Sequence, residues 1–318
     1  MNDAIGGYFE LELKKGTEYH QKAKHLNTAR NAFEYILRCK KIKRVLVPRY
    51  MCNSMLQPLE RLGISYAFYD LDKKLRPIID NSDDQDKAVL VVNYFGILNN
   101  TIREIVSKNP SSIVDNSQAF FSKPISGIDT IYSPRKFFGV PDGAYLYSDY
   151  SIDVELQQDI SHNHCDFLLQ RIDLSPEDGY SSFLGNEERL DNNPIRRMSK
   201  LTQTLLSSID YEFARKRRNE NFFFLHENLR DKNELTALIE SNAIDGPMVY
   251  PFVTRDPSLR KKLHNNRIYV GTYWNDVLER ADENSLEWQL AKYMIPLPVD
   301  QRYTSSSLET ILTLINSL

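Results

Sequence analysis

Lys136 is the residue whose surroundings most strongly suggest chemistry. An apolar run at residues 130–132 precedes its segment and another at 144–147 follows it, a pattern that predicts a loop between two strands. The flanking residues include the turn former Pro134 and the aromatic pair Phe137 and Phe138. A lysine in such a loop can present its amine to a ring or a carbonyl carbon.

A carboxylate suited to act with this amine lies upstream. Asp115 ends another apolar run, 18 residues before Ser133. An amine and a carboxylate are the two groups that pyridoxal phosphate (PLP) chemistry requires, because the amine forms the Schiff base and the carboxylate keeps the pyridine nitrogen protonated. The pair therefore predicts a PLP site.

The composition argues against several other classes of protein. The chain has 318 residues, 41% of them hydrophobic, and a net charge of −3, which gives no electrostatic basis for binding nucleic acid. Its apolar runs are shorter than the roughly 20 residues of a membrane span, and its N-terminus lacks a signal-peptide pattern. Three widely spaced cysteines (Cys39, Cys52 and Cys165) argue against a disulfide scaffold or a zinc site. We expect a cytoplasmic protein with no nucleic-acid or membrane partner.

Three other features have both a structural and a chemical interpretation. The basic run at residues 40–44 fits a solvated helix end, with an anion site as the alternative. The run at residues 162–165 (His-Asn-His-Cys) resembles a ligand cluster, but no acidic or cysteine partner follows at metal spacing. We expect a polar loop there, with no metal. Trp274 and Trp288 are expected to pack rather than to bind substrate.

The first half of the chain alternates helical and strand patterns. Thr28 is expected to cap a helix over residues 29–37, and Gly63 to end a helix over 55–62. A further helix is expected over residues 101–107, and strands are expected at 45–47, 65–69, 88–92 and 113–114. This alternation predicts an α/β fold, with a mostly parallel sheet between two helical layers. Ligands of such sheets bind beyond the carboxyl ends of the strands, where Asp115 lies.

The second half of the chain has a weaker pattern. Residues 151–193 are expected to be connecting structure, and residues 198–229 one long helix that bridges two domains. Short strands and helices, at 249–253, 259–263 and 306–318, suit a smaller C-terminal α/β domain. We therefore expect a large PLP-binding domain over residues 1–215 and a small domain over 216–318.

Five short motifs, taken in order, resemble the DegT/DnrJ/EryC1/StrS aminotransferases. The resemblance covers most of residues 26–230. The motifs are Thr28–Phe33, Val47–Cys52, Val92–Gly96, Asp115–Gln118 and Ser133–Lys136. Members of this family are fold-type-I PLP enzymes that mostly aminate nucleotide-linked keto-sugars, so the resemblance implies the same fold, cofactor and class of substrate here.

The resemblance also implies a role for each residue of the site. Lys136 would bond the cofactor and then carry the proton in transfer, and Asp115 would pair with the pyridinium nitrogen. Gln118 would hydrogen-bond the phenolic oxygen O3′. The phosphate would be held by Ser133 and, at a helix N-terminus, by Thr28, Ala29 and Arg30.

Three positions depart from the family pattern. Ala29 stands where the family usually has glycine, so the backbone approach to the phosphate is slightly more crowded. Cys52 stands near the place of a stacking aromatic residue, so Tyr50, Tyr94 or Phe95 would take that role, and we assign Tyr94 to the cofactor site. Ile195 replaces an asparagine that reaches the partner subunit, so Asn193 or Arg196 would take its place. The resemblance implies a homodimer whose sites lie at the subunit interface.

The predicted function is that of a PLP-dependent aminotransferase. It would transfer an amino group, with glutamate as donor, to a keto-sugar nucleotide for surface polysaccharide or deoxyaminosugar biosynthesis. The alternative is a degenerate, non-catalytic family member that binds PLP or a sugar nucleotide. A related sugar dehydratase is disfavoured, because that branch replaces the lysine with histidine.

Overall fold

The first 150 residues form most of a layered α/β unit. A computed structural model describes residues 5–79 and 87–317. The strands are β1 (Lys24–Leu26), β2 (Arg44–Pro48), β3 (Ser65–Leu71), β4 (Pro77–Ile78), β5 (Lys87–Val92), β6 (Ser112–Asn116), β7 (Thr130–Tyr132), β8 (Ala144–Tyr147), β9 (Val249–Val253) and β10 (Met294–Pro298). The helices are α1 (Ala29–Lys40), α2 (Gln57–Leu62), α3 (Asn99–Lys108), α4 (Asp166–Asp173), α5 (Tyr180–Leu190), α6 (Lys200–Ser207), α7 (Tyr211–Leu229), α8 (Thr236–Glu240), α9 (Leu259–Asn265), α10 (Asn275–Arg280), α11 (Leu286–Tyr293) and α12 (Ser305–Asn316).

The large sheet confirms the predicted topology. Within the described ranges, its eight strands lie in the order β1-β8-β7-β6-β5-β2-β3-β4. The central strands β3, β2, β5, β6 and β7 run parallel, whereas β8 and β4 run in the opposite direction. The carboxyl ends of β5 and β6 therefore meet at one edge, where a ligand of a parallel sheet is expected.

Two apolar clusters show that helices cover both faces of this sheet. Val45 and Val47 pack with Phe33 of α1 in one cluster, whereas Leu46 belongs to another cluster with Ile102 of α3. Successive side chains of a strand point to opposite faces, so the clusters lie on opposite sides. The three-layer α/β/α expectation is confirmed.

Local signals set the helix ends as predicted. The Thr28 hydroxyl accepts a hydrogen bond from the Asn31 amide at 3.1 Å and caps α1. Gly63 adopts a left-handed conformation and ends α2. Lys41 adopts the same conformation at the end of α1, where the basic run at residues 40–44 begins.

Two expectations for the second half were wrong. Residues 198–229 form two helices rather than one, because α6 ends at Ser207 and Asp210 starts α7 by accepting from the Phe213 amide at 2.9 Å. Residues 151–193 are more than connecting structure, since they contain α4 and α5. Much of their apolar surface faces solvent, so the sequence lacks the buried stripe that usually reveals a helix.

The C-terminal residues build a second, smaller sheet. β9 and β10 pair antiparallel, with Phe252 opposite Ile295. Helix α7 runs through residue 215, and the division of the chain into two domains at that position stays a prediction. Within residues 5–79 and 87–317, no helix has the length and apolar character that a membrane crossing requires.

Gly96 marks a tight point in the fold next to the carboxyl end of β5. Its φ is +74°, and a Cβ atom there would lie 2.6 Å from the Gln118 carbonyl oxygen. Both the backbone conformation and the close approach therefore require glycine.

Replacing Gly96 with alanine should destabilise the protein. We expect the free energy of unfolding to fall by about 2–3 kcal/mol, from backbone strain and overpacking, as measured by urea denaturation. Gly185→Ala, in α5 with open space around the Cβ, is the control and should not lower it. Equal stability of Gly96→Ala and wild type would contradict this account.

Candidate active site

Lys136 lies where the sequence pattern places it. The connection from β7 to β8 begins with a single 3-10 turn, Pro134–Lys136, which carries the lysine. The next residue, Phe137, is buried and anchors the loop in an aromatic cluster, with its ring 5.6 Å from that of Phe120. The packing of Phe137 thus fixes the backbone next to Lys136.

Asp115 lies on the central strand β6, close to its carboxyl end. It is buried, and its register partners on the neighbouring strands are Val92 and Ile131. One carboxylate oxygen, Oδ1, accepts a hydrogen bond from the Ser117 amide at 2.8 Å. The strand and this bond together fix the orientation of the carboxylate.

The environment of Lys136 favours the neutral amine. The residue as a whole is exposed to solvent, yet many protein atoms surround its amine. This desolvation lowers the pKa of Lys136, and the charges of Arg135 and Arg30 act in the same direction. Electrostatic interactions with Asp115 and Cys52 act in the opposite direction and raise the pKa of Lys136. The predicted amine and carboxylate are therefore close enough to interact electrostatically, and the amine is shifted towards its nucleophilic form.

Gln118 presents its amide nitrogen as a donor. Its side chain is buried, and its oxygen Oε1 accepts from the Phe95 amide at 2.7 Å. That bond fixes the orientation of the carboxamide, because the Phe95 N–H group can donate only to the side-chain oxygen and not to the nitrogen. The Nε2 group is the end left to donate to a ligand oxygen.

The N-terminus of α1 carries the predicted phosphate residues. Thr28 caps the helix, and the first amides of a helix have no partner within it. The Arg30 side chain is only 10% exposed; it pairs with Asp191 and donates to Gln57 Oε1 at 2.8 Å. Because the Arg30 charge acts on Lys136, this helix end and the lysine share one site. Ser133 is buried at the start of the lysine turn.

The three aromatic residues expected near Cys52 are all buried. Tyr94 is 1% exposed, and its hydroxyl donates to the Tyr50 carbonyl oxygen at 2.8 Å. The rings of Tyr94 and Tyr50 lie 5.3 Å apart, and Phe95 is buried beside them. All three rings are almost completely enclosed by the protein, so none of them presents an open face to solvent. The assignment of Tyr94 to the cofactor site stays a prediction, and it would require movement of the ring.

Residues 191–196 lie against the N-terminus of α1 in the same chain. Arg196 pairs with the buried Asp159 at 3.3 Å, and its amide donates to Asn27 Oδ1 at 3.2 Å. The Asn193 carbonyl accepts from Arg61 at 3.2 Å. Their predicted reach into a partner subunit stays a prediction.

Sequence reasoning missed two arginines that position the site. Arg218 is buried and donates to the Phe137 carbonyl at 3.2 Å, next to Lys136, and burial lowers its pKa to about 10. Arg280 donates to the Arg49 carbonyl at 2.9 Å and also contacts Met51 and Asn53. Arg280 thereby holds the loop that carries Cys52.

Only Arg218 gave a local signal in the sequence. It lies on the same helical stripe as the apolar residues Phe222, Leu225 and Leu229, all of which are buried. A single charge in an apolar stripe indicates burial. Arg280 is 231 positions from Arg49, so no local pattern points to the contact.

Two cavities in the described part of the chain are lined by residues other than Lys136. One of about 200 Å³ is lined by Asn93, Asn116 and Ser122, among others. The other, of about 370 Å³, includes Lys22 and Asp129. Lys136 itself is exposed to solvent on this single chain.

Comparison with known proteins identifies the fold. Neither a protein-family model nor a curated protein sequence matches the chain. Among solved structures, the aminotransferase TlmJ from Streptoalloteichus hindustanus is 14% identical with a TM-score of 0.64, covering 93% of this chain and 85% of that one. DesV from S. venezuelae, in complex with a ketimine intermediate, is 15% identical with a TM-score of 0.62, and the match covers 93% of this chain and 84% of that one. PseC from Helicobacter pylori, an aminotransferase involved in the biosynthesis of pseudaminic acid, is 12% identical with a TM-score of 0.61. That match covers 92% of this chain and 85% of PseC.

The chain has the fold of these aminotransferases. This agrees with the resemblance seen in the five motifs and confirms the predicted fold class. At such low identity the likeness concerns the fold, so the chemistry has to be argued from the residues of the site.

The interaction between Asp115 and Lys136 can be tested without any ligand. The Asp115 carboxylate raises the pKa of Lys136, so Asp115→Asn should lower it further. The pH midpoint for acetylation of Lys136, followed by peptide mass spectrometry, should then move to lower pH. Glu104→Gln, an exposed change on α3, should leave the midpoint in place. An unchanged or higher midpoint in folded Asp115→Asn would show that the two groups do not interact.

Proposed function

We propose that this protein is a PLP-dependent aminotransferase that acts on a nucleotide-linked keto-sugar, with glutamate as the amino donor. The observation that carries the proposal is the placement of Lys136, on its turn after β7, close enough to the buried Asp115 at the carboxyl edge of the sheet for their charges to interact; desolvation there lowers the pKa of the amine. The shared fold with sugar aminotransferases supports it.

The residues present fit PLP in three respects. Asp115 supplies a fixed carboxylate for the pyridinium nitrogen. Gln118, held by the Phe95 amide, supplies an amide donor for the phenolic oxygen. The N-terminus of α1, with Arg30, supplies positive potential for the phosphate. Each group is held by the protein itself before any ligand arrives.

When bound, PLP would supply the electron sink for breaking the bond to the transferred proton. Lys136 Nζ would hold the cofactor and then accept and return that proton, for which a lowered pKa is suitable. Asp115 would stabilise the positive charge on the ring nitrogen, an electrostatic role that a neutral amide fills poorly.

A second candidate is a non-catalytic protein that binds PLP or a sugar nucleotide. The burial of Tyr50, Tyr94 and Phe95 favours it, because these residues present no open ring where a stacking residue was expected. Adding glutamate to the PLP-loaded protein separates the two candidates. An aminotransferase loses its visible absorbance as the amino group is transferred, whereas a binding protein keeps it.

Lys136 should be the residue that bonds the cofactor. After PLP is added and reduced with borohydride, the pyridoxyl group should be found on the peptide containing Lys136. Lys136→Ala should lose both the label and transamination, whereas Lys123→Ala, on an exposed loop, should keep both. A label on another lysine of the wild type would overturn the assignment.

A homodimer is part of the proposal, because Lys136 is exposed on the single chain and two-fold dimers are the commonest soluble oligomers. Sedimentation should give twice the chain mass of 37.0 kDa.

Mixing Lys136→Ala with Arg196→Ala chains should restore part of the activity if Arg196 serves the partner's site, since one site of each heterodimer would then be intact. Homodimers of each variant are the controls. No recovery in confirmed heterodimers would place Arg196 outside a shared site.

A further inference from the structure

A polar cavity lies behind the strand that carries Asp115. It measures about 200 Å³ and is lined by residues of β6, α3, the loop at 121–125 and the segment at 243–245. Val114 and Asn116 of β6 both line it, and successive side chains of a strand point to opposite faces of the sheet. Asp115, which lies between these two residues, therefore points away from the cavity, so the cavity is separate from the candidate active site.

The inner part of the cavity is lined by amide and hydroxyl groups that are short of hydrogen-bond donors. Asn93 Nδ2 donates towards three oxygens: Asn99 Oδ1 at 3.0 Å, Asn116 Oδ1 at 3.2 Å and Ser122 Oγ at 3.3 Å. The orientation of the Asn93 amide is fixed, because its oxygen accepts from the Leu98 amide at 3.0 Å. A carboxamide has only two N–H hydrogens, so one of the three oxygens is always left without one.

The Ser122 hydroxyl does not make up this deficit. Its hydrogen is already used, since it donates to Asn99 Oδ1 at 2.5 Å. Asn116 and Ser122 are both buried, at 3% and 8% exposure, and a buried acceptor without a donor costs free energy. The cavity therefore favours an occupant that brings hydroxyl hydrogens to Asn116 Oδ1 and Ser122 Oγ.

The outer part of the cavity is positively charged. Arg103 of α3 and Lys123 both line it and are exposed, and neither forms an ion pair within the described ranges of the chain. Asp245 also lines the cavity, but it pairs with Arg215 at 2.7 Å. Asn99, the first residue of α3, adds the positive end of a helix dipole. Two uncompensated cations beside a helix N-terminus favour an anion here.

The size of the cavity limits the occupant to a small molecule. A cavity of about 150 Å³ holds benzene, so one of about 200 Å³ accommodates a compound of about three or four carbons with its substituents. We propose that this cavity binds such a compound, with hydroxyl groups at one end and a phosphate or carboxylate at the other. The hydroxyl groups would donate to Asn116 and Ser122, and the anionic end would accept from Arg103 and Lys123. This inference goes beyond the proposed function and does not depend on PLP.

Calorimetric titration of the whole chain tests the proposal. Glycerol 3-phosphate and glycerate are the probes, because both combine hydroxyl groups with an anion, and comparing them distinguishes phosphate from carboxylate. At least one of them should bind once per chain. Arg103→Gln/Lys123→Gln should weaken that binding by about 10-fold or more, since charge-assisted hydrogen bonds are lost. The matched control, Lys216→Gln/Lys261→Gln, removes the same charge from exposed positions on α7 and α9 and should bind as wild type does.

A second measurement uses the unmodified chain and probes the inner acceptors. Propyl phosphate and propionate lack the hydroxyl groups of glycerol 3-phosphate and glycerate. Each should bind about 10-fold more weakly than its counterpart that binds, because Asn116 and Ser122 would stay without donors.

Three results would each overturn the proposal: failure of both probes to bind, equal affinity for the hydroxyl-free counterpart, or binding that survives Arg103→Gln/Lys123→Gln. The last result would place the anion elsewhere, for example at the N-terminus of α1. The titrations contain no PLP, and Lys136 does not line the cavity. Failure here therefore leaves the proposed function untouched, and loss of the proposed function leaves this site untouched.

Discussion

The buried guanidinium of Arg218 is the constraint on which the site depends. A buried charge is costly unless its donors are satisfied, and Arg218 satisfies them with groups from distant parts of the chain. It donates to Gln301, to the carbonyls of Pro247 and Met248, and to the carbonyl of Phe137. Its guanidinium also lies 4.5 Å from the centre of the Phe137 ring. If helix α7, the 247–248 segment and the lysine loop moved apart, the buried guanidinium would lose its hydrogen-bond partners.

A buried carboxylate fixes the other end of the same loop. Asp142 is fully buried and accepts from the Ser199 amide at 2.8 Å and from the Ser199 and Ser161 hydroxyls at 2.6 and 3.2 Å. Thr202 also donates to it. The loop from Phe137 to Asp142 is thus held at both ends, by a buried cation and a buried anion. Leu168 of α4 and Asn186 of α5 contact the residues between them.

The sequence predicts what local patterns encode. Strand ends and turn residues place Asp115 and Lys136 correctly, because apolar runs and their breaks determine where strands stop. The break between α6 and α7 depends on a single cap, Asp210, within a segment of continuous helical periodicity. Arg280 joins its loop across 231 positions. Contacts of this kind arise from the tertiary fold and leave no periodic trace.

The pair of helices α4 and α5, which we call the hairpin, was missed for a different reason. A helix is recognised from an apolar stripe buried in the core of its own chain. No residue of α4 is fully buried, and Leu169 and Ile172 face outwards. The same outward face contributes little to the stability of one chain. Leu168 and Asn186 join the hairpin to the loop at Gly139 and Pro141, so whatever stabilises the hairpin also stabilises the loop that carries Lys136. By mass action, a molecule that bound only the ordered helices would therefore shift the chain towards the ordered loop.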